Sequence, residues 1–153
     1  MAVTETDCAA EAFADLTFGP RAEEMVWRRA FAGTPESAHE ARAFVGCLLA
    51  CSPGRDDVVQ AAGELIANAI THTRSGSPGG IYVVEVRRRR GAVALAVADQ
   101  GGPEEPRAAD GAHADPGEHG YGLMTVRALA SWWGWRGDER GRRVSAIFER
   151  ERS

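Results

Sequence analysis

Apolar positions along the chain recur at two different spacings, and each change of spacing marks a boundary between elements. The run Met25-Val26-Trp27-Arg28-Arg29-Ala30-Phe31 reads as a strand. Thr34-Pro35-Glu36-Ser37 follows, a capping hydroxyl and then a proline suited to a first helical turn. Ala41, Phe44, Val45, Leu48 and Leu49 then fall at helical spacing and predict a first helix. Ser52-Pro53-Gly54 ends it. Asp56 and Asp57 open a second helix, with an apolar stripe of Val58, Val59, Ala62, Leu65, Ile66, Ala69 and Ile70. Beyond the turn-forming Ser75-Gly76-Ser77-Pro78-Gly79-Gly80, residues 81–87 and 93–98 are β-rich and separated by Arg88-Arg89-Arg90-Gly91, which predicts a hairpin. Residues 101–120 are rich in Pro, Gly, Ala and acids, long enough to suggest a mobile functional loop that serves as a lid. Residues 123–133 read as a third helix, and 133–137 and 143–148 as two closing strands. Residues 1–20 lack sustained periodicity and are expected to form a flexible leader, leaving 21–153 as one domain without internal repeats.

Composition narrows this picture. A chain of 153 residues with 44% hydrophobic content suits a single core. No apolar run approaches the roughly 18 residues of a membrane span, and the start lacks the basic-then-apolar order of a secretory signal, so a soluble, cytoplasmic protein is expected. A net charge of -4 offers no general attraction to nucleic acid or anionic membrane. All 18 basic side chains are arginine. Without lysine, neither a lysine-bearing phosphate loop nor a Schiff-base mechanism is available. Cys8, Cys47 and Cys51 are expected to be small buried thiols and not a metal site or a disulfide framework.

The candidate chemistry begins at the single asparagine, Asn68, four residues after Glu64 in Glu64-Leu65-Ile66-Ala67-Asn68-Ala69-Ile70-Thr71-His72. An acid and an amide at i and i+4 share one helix face. Burying either is costly unless something satisfies it, and a metal or phosphate is one such partner. A second candidate is Asp99-Gln100-Gly101, a carboxylate at the end of an apolar strand with glycine two residues on. The carboxylate can accept from an amino group such as that of adenine, and glycine permits positive φ or a close backbone approach, although Asp-x-Gly is also an ordinary turn signal. The third is Gly117-Glu118-His119-Gly120-Tyr121-Gly122-Leu123, whose glycines can aim backbone N–H groups and a helix start at phosphate oxygens. These glycines follow a polar loop and not an apolar strand, which argues against a dinucleotide fingerprint.

Taken in this order, the three segments resemble the ATP-binding domain of the GHKL superfamily, which includes gyrase, histidine kinases and MutL. Residues 64–69 resemble its N box, 99–101 its first glycine box and 117–123 its second. The wording Glu-Leu-Ile-x-Asn-Ala-Ile-x-His is most similar to the stand-alone bacterial anti-sigma factor serine/threonine kinases, over roughly residues 24–149. The resemblance implies an α+β fold: a two-layer α/β sandwich, the Bergerat fold, with a mixed, mostly antiparallel sheet covered on one face by helices. It implies ATP and Mg²⁺ as cofactors, with Asn68 as the Mg²⁺ ligand and Glu64 as general base toward a protein serine or threonine hydroxyl. Asp99 would receive the adenine amino group and Gly101 would let the base lie close. Gly120, Gly122 and Leu123 would cradle phosphates. The implied partners are a sigma factor and an anti-anti-sigma protein, with homodimerisation and no direct contact to nucleic acid or membrane. Where the family carries a threonine in its last box, this chain reads Gly141-Arg142-Arg143-Val144-Ser145, with Ser145 two positions away.

Two readings compete with kinase activity: a non-catalytic ATP-binding module, and a detached histidine kinase catalytic domain. Elsewhere, Arg87 to Arg90 are expected to be solvated turn charges. At least two of Trp132, Trp133 and Trp135 are expected to pack between the third helix and the sheet. His72, His119 and Arg127 lie near enough to the motif residues to touch phosphate, but ordinary surface or supporting roles are expected for each.

Overall fold

The computed structural model describes residues 24–106 and 121–149. The elements run β1 (Met25–Ala32), α1 (Pro35–Leu48), α2 (Arg55–His72), β2 (Ile81–Arg89), β3 (Ala92–Asp99), α3 (Tyr121–Leu129), β4 (Trp132–Asp138) and β5 (Gly141–Glu149). The expected leader at 1–20 and most of the expected lid lie outside the described residues.

Local chemistry accounts for the boundaries. The Thr34 hydroxyl accepts from the Ser37 backbone N–H at 3.4 Å and Pro35 opens α1, as the sequence suggests. Gly54 starts α2 from a left-handed conformation (φ 78°) with Asp56 and Asp57 in the first turn. The β2–β3 hairpin turns at Gly91, whose φ of 80° disfavours any other residue. At the third helix the structure departs from expectation. α3 begins at Tyr121 and ends at Leu129, and Trp132 and Trp133 belong to β4. Trp133 and Trp135 point to the core and Trp132 to the other face, a period of two that the run of aromatic residues conceals.

The strands form one sheet in the order β1-β2-β3-β5-β4. Every described pairing is antiparallel, with no parallel pair of the kind a mixed sheet contains. Hairpins join β2 to β3 and β4 to β5, and two successive helices return the chain so that β2 runs against β1. Helices cover one face only, which makes the expected two-layer α+β sandwich.

The register decides the core. Val84 pairs with Val97 and Val86 with Leu95, and Leu95 pairs with Ala146 and Val97 with Val144. This apolar row packs against Val45 of α1, Leu65, Ile66 and Ala69 of α2, and Leu123 and Val126 of α3. Burying each large aliphatic side chain stabilises the fold by about 1.5–3 kcal/mol.

The other face carries charge. Glu85, 1% exposed, accepts from Arg87 Nε at 2.7 Å, from Arg28 Nε at 2.7 Å and from Arg143. Arg87 also lies 3.7 Å from Glu24. This corrects the expectation that Arg87 is a solvated turn charge. β2 extends to Arg89, so alternation carries Arg87 onto the sheet face beside Glu85. Cys47 and Cys51 are exposed and not buried: Cys47 lies two residues from the core-facing Val45 and Leu49 and so turns to solvent. Cys8 lies outside the described residues. No described helix is long and apolar enough to cross a membrane.

Candidate nucleotide site

The helical layer and the sheet part at one end to leave a cavity of about 580 Å³, within the range of small-molecule sites. α2 supplies Leu65, Asn68 and His72, β3 supplies Val97 and Asp99, α3 supplies Leu123, and β5 supplies Arg142 and Val144. Val97 and Val144 are a cross-strand pair, so the floor is apolar and the polar groups stand at its margins. Glu104 and Glu105, at the start of the loop leaving β3, form one wall. A second cavity of about 490 Å³, between the start of α2 and Arg88 to Arg90, contains none of the candidate residues.

Asn68, Asp99 and Leu123, predicted from separate segments, therefore meet at one cavity. Asn68 reaches it because Leu65 and Ala69 hold that side of α2 against the sheet. Asp99 ends β3, and its Oδ1 accepts the Gly101 backbone N–H at 2.7 Å. Burial pushes the Asp99 pKa up, against the opposing effects of that hydrogen bond, the Arg142 charge and the Arg142 backbone N–H.

Gly101 has φ 73°, and a Cβ there would fall 2.3 Å from the carbonyl oxygen of Glu139 in the β4–β5 turn. Any larger residue would displace the loop from Asp99. Gly122 lets α3 lie close against α2, since a Cβ on it would fall 2.7 Å from Glu64 Oε2. Glu64 thus stands beside the cavity, against the first turn of α3, and does not line it. Gly120 and His119 lie outside the described residues. Arg127 is exposed in the last turn of α3 and does not line the cavity.

Three residues join the site that were not among the expected ligand-binding positions. His72 lines the cavity, its Nδ1 3.8 Å from Glu104 Oε2. The Thr73 hydroxyl caps the turn after α2 by accepting from Ser75 N at 3.1 Å. Arg142 stands directly opposite Asp99 in the β3–β5 register. Sequence spacing could reach His72, one turn beyond Asn68. Nothing in the sequence states a cross-strand register. Ser145 lies on the opposite sheet face, paired with Ala96 and Gly134, and cannot stand in for the missing threonine.

No cluster of three or more His, Cys, Asp or Glu able to hold a metal exists among the described residues. The donor set is instead one amide and nearby carboxylates, which suits Mg²⁺, an ion that keeps waters and binds through few protein oxygens together with phosphates.

The one-sided α+β sandwich thus brings an amide and a strand-end carboxylate to the lining of one cavity. Residues 31–148 match the histidine kinase-like ATPase domain family, and the chain belongs to that family. ATP is the ligand that such a domain implies. No curated protein matches the sequence. Among solved structures, the RsbU and RsbW domains of Rv1364c from Mycobacterium tuberculosis are similar at TM-score 0.63 and 20% identity, over 82% of this chain and 32% of that one. A chain of the SiaB–SiaC complex from Pseudomonas aeruginosa is similar at TM-score 0.52 and 13% identity, over 95% of this chain and all of that one. At these identities the likeness is one of fold. The chain spans about a third of the first of them.

Proposed function

We propose that the chain is an ATP-dependent protein serine/threonine kinase that also binds and restrains a sigma factor, with an anti-anti-sigma protein as its substrate. The observation that carries this reading is the meeting of Asn68 and Asp99 at one cavity closed by the start of α3. The adenine amino group donates to Asp99, with Gly101 leaving room for the base. The phosphates extend toward the first turn of α3, where Gly122 and Leu123 provide a backbone approach and the helix start favours negative charge, and Gly120, just before it in sequence, is proposed to join them. Asn68 holds Mg²⁺, which offsets phosphate charge when bound. Glu64 takes the proton from the attacking serine or threonine hydroxyl, and its position against Gly122 sets it beside the proposed phosphate site. The fold likeness to a chain from the SiaB–SiaC complex supports a protein partner for this chain as well. The resemblance to the anti-sigma factor kinases leads us to propose that the chain also acts as a homodimer.

Calorimetry of ATP binding with and without Mg²⁺, on wild type and Asn68→Ala, tests the site. Mg²⁺-dependent binding that the substitution reduces by about 100-fold or more is the expected outcome, and absence of binding by wild type would refute it. Glu64→Ala should retain ATP and lose about 100- to 10,000-fold in phosphoryl transfer. Transfer at full rate would remove Glu64 as the base.

A second reading rests on Arg142, which faces Asp99 where the family's threonine is expected. The chain would then hold ATP and regulate a partner without transferring phosphate. Undiminished partner regulation by Glu64→Ala, with no transfer by wild type, would favour that reading.

A further inference from the structure

We infer that Arg142 is the positioning residue for the base end of the pocket: one guanidinium ties the loop leaving β3 to β5 and sets its charge beside Asp99. The inference rests on the nucleotide-site reading above and adds a residue to it. Arg142 is 6% exposed and lines the same cavity as Asp99. Its Nη2 donates to the Gly102 carbonyl at 2.8 Å, and its Nη1 donates to the Glu104 carbonyl. The guanidinium carbon sits 5.6 Å from the ring centre of Trp135, within cation–π range.

A planar fork can hold two carbonyls at once, and a lysine ammonium lacks that geometry. Those two carbonyls flank Pro103, so the guanidinium defines the path of residues 102–104 along the cavity wall. The remaining guanidinium nitrogen, Nε, is buried without an acceptor. An unsatisfied buried donor is destabilising, so stability alone does not favour this side chain here. A small apolar residue at 142 would leave no orphaned donor, yet it would release the loop and leave Asp99 without its cation.

The charge has its own consequence. Asp99 must be ionised to accept fully from an amino group, and Arg142 opposes the effect of burial on it. The other titratable groups on the cavity are His72 at the end of α2 and Glu104 and Glu105 on the loop. They are common to wild type and both variants, so comparison of the charged Arg142→Lys with the neutral Arg142→Gln isolates this effect.

ATP affinity across the acid range, measured on the full chain for wild type, Arg142→Lys and Arg142→Gln, tests both roles. Both variants should bind ATP about tenfold or more weakly at neutral pH, because neither holds both carbonyls. As pH falls through the carboxylate range, binding by Arg142→Gln should fail at higher pH than wild type, and binding by Arg142→Lys should fail where wild type does. Wild-type affinity and pH profile in Arg142→Gln would overturn the proposal. If wild type binds no ATP, the nucleotide reading falls, and backbone ¹⁵N relaxation of the nucleotide-free protein then decides on Arg142. Gly102 and Glu104 should become more mobile in Arg142→Gln, and unchanged order there would overturn its role as a loop tether.

Discussion

Two carboxylates lie on neighbouring strands of one sheet, and the fold treats them in opposite ways. Burial alone would raise the pKa of Glu85. Hydrogen bonds from Arg87 and Arg143, the Arg143 charge and a bond from Arg28 outweigh it and hold the group at about 2. Asp99, at the cavity, has two backbone N–H groups and one guanidinium charge, and there burial wins and the pKa rises. A fully matched buried charge fixes the strands around it. A charge left under-matched in a cavity is available to a ligand. On this criterion the face bearing Glu85 is structural, and the face bearing Asp99 is the one proposed to bind a ligand.

The largest test of this contrast is Glu85→Gln, which leaves the surrounding arginines without their shared anion. Urea unfolding should show a loss of about 3 kcal/mol, and less to the extent that solvent screens the exposed Arg28. Unchanged stability would break the comparison. The pH dependence follows with a definite sign. A folded-state pKa of about 2, below the ordinary 4.5, means that the Glu85 contribution is present above pH 4.5 and is lost as pH falls toward 2. That acid limb should flatten in Glu85→Gln.

Asp99→Asn should move stability the other way. The folded pKa of Asp99 is raised, so its ionised form is disfavoured by the fold, and wild-type stability gains as pH falls through that pKa. The amide retains an oxygen for the Gly101 N–H and carries no charge. Nucleotide-free protein should therefore gain about 0.5–1 kcal/mol at neutral pH while ATP affinity falls. A loss of stability would show that Asp99 belongs with Glu85 as a structural charge. The smallest stability effect is expected for Asn68→Ala, within about 0.5 kcal/mol by thermal unfolding, because Asn68 faces the cavity and not the core.

Much of this site was legible before the fold was. Glu64 and Asn68 announce a helix face by spacing, and Asp99 and Gly101 announce a strand end by the break in apolar residues. Arg142 was invisible in the same way as Glu85. Both are charged residues inside strands, and their roles depend on which residue stands opposite and which face the strand turns to the helices. The boundary of α3 was misread for a related reason: Trp132, Trp133 and Trp135 suit either period, and only the pairing of β4 with β5 separates them.

The sequence by itself determined the order and type of the elements, the helical placement of Asn68 and the need for glycine after Asp99, because these follow from periodicity and backbone sterics within a few residues. Tertiary structure alone decided that Asn68 and Asp99 share a cavity, that Glu64 packs beside it against Gly122, and that Arg142 confronts Asp99 while Arg87 and Arg143 neutralise Glu85. Apart from Arg87, two residues from Glu85, those relations link residues from 31 to 58 positions apart through strand register and helix packing, and a one-residue slip in register would turn Asp99, Arg142 and Arg143 to the wrong faces.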